Sequence, residues 1–191
     1  MKKWIAIFSL FFITGCVYPD VKKIEIDMMN SDQDSYGTVL LQEVAEGVNM
    51  TIDLEGLPPG EHAMHFHGKR GSVSHQYFTS AGDHYNPEDK QHGLLNPEGA
   101  HAGDLPNLVV GEDGVASVEI LAPSVTLSEG TTTLFTKQGT SLIIHEAGDD
   151  GMSQPAGDAG VRIACGVISK ENQTMKEVTE NETEAPDQKE E

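Results

Sequence analysis

The sequence predicts an all-β domain, a sandwich or barrel carrying two long functional loops, on three observations. Several short segments alternate apolar and polar residues, the pattern of a half-buried strand. Glycine, proline and acidic turn residues bound these segments. No stretch keeps a helical apolar period over several turns, so no helix is expected in the core.

The 191-residue chain opens with Lys2 and Lys3 ahead of an apolar run, residues 4–13, that is too short to span a bilayer. The run ends in Ile13-Thr14-Gly15-Cys16, which resembles a bacterial lipobox. Residues 1–15 are therefore expected to be a lipoprotein signal peptide, with Cys16 the lipidated first residue of the mature chain. An ordinary secretory signal or a short anchor helix is the plainer alternative. The lipid reading puts the mature protein outside the cytoplasm, tethered to a membrane. Residues 16–34 then make the lipidated N-terminus and a spacer, within which residues 23–28 (KIEIDM) already alternate like a strand.

The domain proper is placed at residues 35–169, enough chain for one core. Its strand candidates are residues 38–41, 47–54, 114–121, 141–145 and 161–168. Residues 68–111 are rich in Gly, Pro, Asn and His and show no sustained period. A structureless loop of that length is unusual in a compact domain, and metal ligation is one way to hold it. A second glycine-rich loop covers residues 147–160. Residues 170–191 are acidic and almost without apolar side chains, so they are expected to form a disordered tail.

The formal net charge is −19, and removing Lys2 and Lys3 makes the mature chain more acidic still. That balance argues against nucleic acid or an anionic membrane surface as a partner. Membrane attachment is expected through the lipid at Cys16 alone, and any attraction for an anionic substrate has to be local. Cys16 and Cys165 are the two cysteines. With Cys16 lipidated, Cys165 has no partner for an intrachain disulfide, although the compartment is oxidising.

Seven of the eight histidines fall between His62 and His101, and the eighth is His145. His65 and His67 stand two apart, so on a strand both rings share a face. His145 ends the apolar run Leu142-Ile143-Ile144 and is able to join them from another strand. His84, His92, His101 and Asp104 come from one loop, and three nitrogens with one oxygen make a closed zinc site. Imidazole suits zinc and copper alike, whereas the carboxylate suits zinc. An imidazole has two ring nitrogens, so one histidine can serve two metals.

The stretches GEHAMHFHG (60–68), TSAGDHYNP (79–87), HG (92–93), HAGDLPN (101–107), HEAGDDG (145–151) and GDAGVRIACGVI (157–168) resemble the copper–zinc superoxide dismutase family, in family order over about 110 residues. The resemblance implies an eight-stranded Greek-key β-barrel. It makes His65, His67, His84 and His145 copper ligands, His84 the bridge, and His92, His101 and Asp104 the remaining zinc ligands. It also makes Arg162 the arginine that guides and holds the anion beside copper, and Asp149 the carboxylate linking His65 to His92. His62 corresponds to a structural position, and His75 has no counterpart.

Three departures stand out. The family has a cysteine in the loop after the HxH pair, joined to the cysteine of its ACG motif. Here that loop reads GKRGSVSHQYFTSAG, with Val73 or Phe78 in the place, depending on alignment. Gly68 replaces the usual acidic residue after the second histidine, and Asp158 replaces the usual asparagine of the GNAG turn.

The function the resemblance implies is superoxide dismutation at copper bridged to zinc, with superoxide as substrate. Two rivals are a metal-binding lipoprotein of the same fold with weak or no activity, and a zinc hydrolase. The hydrolase fits poorly, because four ligands close the zinc site and no glutamate stands as an obvious base. The sequence leaves monomer and homodimer both open.

Overall fold

The computed structural model describes residues 22–71 and 76–171. The expected signal peptide, lipidation site Cys16, most of the acidic tail, Val73 and His75 lie outside them.

The described residues form nine strand segments: β1 (Lys23–Met29), β2 (Ser35–Val44), β3 (Gly47–Glu55), β4 (Gly60–His62), β5 (Met64–His67), β6 (Leu108–Val110), β7 (Val115–Ala122), β8 (Thr140–His145) and β9 (Arg162–Ile168). A short 3-10 helix spans Gln76–Ala81. Seven strands make an antiparallel sheet in the order β5-β8-β9-β1-β2-β3-β7, and β4 pairs with β6. The chain thus crosses between the ends of the sheet rather than always pairing with its predecessor, as in a Greek key.

Only Ala63 separates β4 from β5. There the backbone changes partners: Ala63 N donates to Ala147 O and Ala63 O accepts from His145 N, at 2.8 and 2.9 Å. Counted as one strand that turns a corner between the two sheets, β4 and β5 bring the number to the expected eight.

The core follows from alternation. Ile24, Ile26 and Met28 of β1, Val39 and Leu41 of β2, and Met50 and Ile52 of β3 are all buried. The register sets Val39 opposite Ile52 and Leu41 opposite Met50, so cross-strand neighbours share the inner face.

Three expectations need correcting, and one connection was not foreseen. The spacer assigned to residues 16–34 does not hold for β1, which pairs with β2 and β9 and buries three apolar side chains. The folded unit therefore starts by Lys23. β2 runs well past residues 38–41 in both directions, because it is paired along both edges while its outer face is half-covered and blurs the alternation. The stretch 68–111 contains the 3-10 helix and β6. A third long connection, residues 123–139, drew no attention in the sequence. It is fastened by its own buried Val125, Leu127 and Leu134, and by Tyr85, whose hydroxyl donates to Thr133 O at 2.7 Å.

Candidate metal centre

β5 divides its side chains by parity. Met64 and Phe66 enter the hydrophobic core, while His65 and His67 are fully buried on the other face. β8 pairs antiparallel with β5, placing Ile143 opposite His65. His145, two residues on, comes to the same face at a register shift.

The long loop is laid back across β5 by main-chain hydrogen bonds. Tyr85 N donates to Phe66 O and Phe66 N to Gly103 O, at 2.8 and 2.9 Å. Single bridges pair His67 with His84 and His65 with Asp104. Together with buried Phe78, Tyr85 and Leu105, these bonds hold the loop by packing and backbone pairing as well as by its ligand residues.

His65, His67, His84 and His145 offer ring nitrogens that all lie within 4.8 Å of one another. Beside this group, Asp104 Oδ1 lies 3.0 Å from His84 Nδ1, 3.1 Å from His92 Nδ1 and 3.3 Å from His101 Nδ1. A tighter four-atom grouping on that side takes His65 in place of His101. We favour His101, because His65 Nε2 is committed to Asp149 at 2.8 Å and its other nitrogen faces the first group.

His65 Nδ1, His67 Nε2, His84 Nε2, His145 Nε2, His92 Nδ1 and His101 Nδ1 are buried and have no hydrogen-bond partner. Six such orphans in one place are far too costly to be structural, and each faces one of the two clusters. Four nitrogens on one side, and three nitrogens with one carboxylate oxygen on the other, fit copper and zinc respectively. His84 is the one ring with a nitrogen toward each.

The surroundings fix these rings. Asp149 takes His65 Nε2 and His92 Nε2, at 2.8 and 3.1 Å, so one carboxylate orients a ring of each cluster. Asn107 clamps Asp149 in turn, donating Nδ2 to its carbonyl and accepting its N–H at Oδ1. Gln154 holds His92 by its backbone, accepting from N and donating to O. Sequence reasoning assigned neither residue a role. Asn107 sits in a quoted motif, but no local signal marks Gln154. Asp104 Oδ2 accepts from Gly93 N and His101 N.

Burial pushes the ring pKa values down, to about 4 for His84 and about 3 for His145, and His67 is lowered well below the usual value for the same reason. These rings are thus neutral at neutral pH, as metal ligands must be. For Asp104 and Asp149 burial acts upward, but hydrogen bonds from histidines and backbone N–H groups outweigh it, and both stay below the usual carboxylate range.

The family model described as copper/zinc superoxide dismutase (SODC) matches residues 35–168. The chain belongs to the copper–zinc superoxide dismutase family. It is 44% identical over 162 residues to superoxide dismutase [Cu-Zn] 2 of Aquifex aeolicus (strain VF5), covering 84% of this chain and 94% of the relative. A superoxide dismutase [Cu-Zn] of Caulobacter vibrioides is 43% identical over 140 residues, covering 72% and 80%. Among solved structures, a SOD-like protein from Bacillus subtilis superposes with TM-score 0.72 at 36% identity, over 75% of this chain and 97% of that one. The Cu/Zn superoxide dismutase from Brucella abortus gives 0.65 at 30%, over 77% and 99%.

Beyond the ligands, this family member places Arg162 at the start of β9, half-buried, with Nη1 donating to Phe78 O and Nη2 to Gly82 O at 2.9 and 2.6 Å. Gly82 O also accepts from His67 Nδ1 at 2.9 Å. The guanidinium is therefore tied to the same loop that tethers a ring of the first cluster. His62 stands apart from both clusters, its ring nitrogens each 2.8 Å from a carbonyl oxygen, of His145 and of Pro58. The residue facing Cys165 across the loop is Gly71, and Phe78 packs in the small apolar cluster around that thiol. Asp158 has φ of 51°, a left-handed conformation that Asp tolerates as Asn does, so that departure is conservative.

Proposed function

We propose that this protein is a copper–zinc superoxide dismutase, with superoxide as substrate and oxygen and hydrogen peroxide as products. The carrying observation is the set of six orphaned ring nitrogens divided between two clusters that share His84. His65, His67, His84 and His145 hold copper, and His84, His92, His101 and Asp104 hold zinc. Copper held there would supply one-electron redox chemistry toward superoxide.

The protein's own groups do the rest. His84 holds a proton at Nε2 when that nitrogen is not ligating and releases it when it is. Asp149 keeps His65 and His92 in the tautomers that leave Nδ1 toward the metals. Arg162 supplies a fixed positive charge for a small anion, in a chain whose net charge repels it. All four nitrogen donors of the first cluster are histidines, so the reading as a weak metal-binding relative is not favoured. Titrating the metal-free protein with copper and zinc and following superoxide decay tests the assignment. Activity rising with one copper per chain is expected; full loading without activity would refute it.

We further propose that Cys16 is lipidated and that the enzyme works outside the cytoplasm on a membrane tether. Ile13-Thr14-Gly15-Cys16 after a short apolar run supports this. Fatty-acid labelling that is lost in Cys16→Ala checks it; equal labelling of both would reject it.

A further inference from the structure

Arg162 rests on the carbonyl of Gly82, and the next residues along the chain are Asp83 and the shared ligand His84. Asp83 is exposed, and its backbone is fixed because Asp83 O accepts from Gly68 N at 3.0 Å. A negative charge is thus held in the turn joining the arginine's anchor to the ring that faces both clusters. Asp83 does not form an ion pair with Arg162 among the described contacts, yet its charge acts on it through space, opposing the effect of burial on the guanidinium. The other charge at this turn is Lys69, whose stem covers Gly82: a Cβ there would meet Lys69 Cδ at 3.3 Å. Asp83 therefore follows directly on the residue that carries the Arg162 guanidinium and lies under the Lys69 stem. Nothing in the metal cage uses its carboxylate.

We propose that Asp83 limits anion capture, cancelling part of the positive potential of Arg162 and so setting how readily a small anion reaches the first cluster. The proposal rests on the dismutase reading for its substrate but not for its electrostatics. Asparagine at this position keeps size and backbone and removes only the charge. In a water-like medium a unit charge about 10 Å from an anion changes its local concentration by about twofold, and salt screens the effect.

The test uses protein loaded with copper and zinc, as wild type, Asp83→Asn and Asp83→Lys. Azide binding is read from its charge-transfer absorption with copper, alongside superoxide decay, at low and at high salt. Asp83→Asn should bind azide about twofold tighter and react about twofold faster at low salt, with Asp83→Lys further in the same direction. Both gains should shrink toward wild type at high salt. Unchanged azide affinity in both variants, or a gain that persists at high salt, would overturn the proposal, the latter pointing to a local rearrangement. If Asp83→Asn folds poorly, Asp83→Lys decides by the same measurements. Tighter azide binding in the variants, alongside a wild type without dismutase activity, would sink the functional reading and leave this inference standing. An active wild type with no change in either variant would do the reverse.

Discussion

A Cβ atom built on Gly71 would lie 2.5 Å from the sulfur of Cys165. The thiol is buried, free, and pushed up to about 11 by desolvation. Where relatives are expected to tie loop to barrel with a disulfide, this chain packs a glycine directly onto the sulfur. Gly71 is also fastened by its N–H to Ser141 Oγ at 2.5 Å.

Gly71→Cys should therefore close a bond to Cys165 under oxidising conditions, since a Cβ–S–S linkage spans roughly 3 Å from Cβ to the far sulfur. The oxidised variant should gain about 2–4 kcal/mol. Gly71→Ala should instead lose about 1–3 kcal/mol by crowding the same sulfur, and Cys165→Ala should recover much of that loss. Denaturant midpoints with and without reductant, and a thiol count, check this. Two free thiols in the oxidised, folded Gly71→Cys would show that the backbone does not allow the bond.

Removing the shared ring should damage chemistry more than folding. His84→Ala leaves His92, His101 and Asp104 for zinc, so zinc should remain bound with weaker affinity while dismutase activity falls at least about tenfold. Zinc content after dialysis and superoxide decay provide the readouts. Full activity in this variant would contradict the bridging role.

Charge at Arg162 should show a graded effect. Arg162→Lys keeps the cation but loses the planar fork that meets Phe78 O and Gly82 O, so a mild loss is expected. Arg162→Glu should slow the reaction strongly and reverse the sign of its salt dependence. Equal rates for both variants across salt concentrations would remove Arg162 from the steering role.

Asp149 couples the two clusters. Asp149→Ala frees His65 and His92 together, so affinity for both metals should fall, by about 10–100-fold each. Competition with a chelator measures each ion separately. Loss confined to one metal would mean the carboxylate serves only one ring.

The metal-free protein should weaken as pH falls. His67, His84 and His145 have folded pKa values below the ordinary 6.5, at about 4 and about 3 for the last two. Below about pH 6.5 the unfolded chain takes up protons that the folded chain refuses, so stability drops as pH falls, through about pH 4 for His84 and about pH 3 for His145. Each such histidine contributes a slope of about 1.4 kcal/mol per pH unit within its window. Asp104 and Asp149, held below the usual carboxylate range, add a loss at lower pH. Denaturant midpoints of chelated protein at several pH values test this. A midpoint that holds constant between pH 7 and 5 would show that the rings stay accessible to protons in the folded state.

The ligand residues were legible in the linear chain because their spacing is itself chemical: two rings on alternate positions of a strand must share a face, whatever surrounds them. The all-β class was legible for the same reason, since alternation records which side of a strand meets the core. β1 was half-legible, for residues 23–28 alternate plainly, but only its place between β9 and β2 shows that they belong to the barrel. Gln154 and Gly71 carried no signal of their roles, and Asn107 only its place in the matched stretch 101–107. Gln154 is 62 positions from His92 and Gly71 is far from Cys165 in sequence, and their roles consist of distances that exist only once the loops are laid across the strands. Local periodicity fixes which face a side chain takes, whereas contacts between loops depend on the path of the whole chain, and only the tertiary structure decides that path.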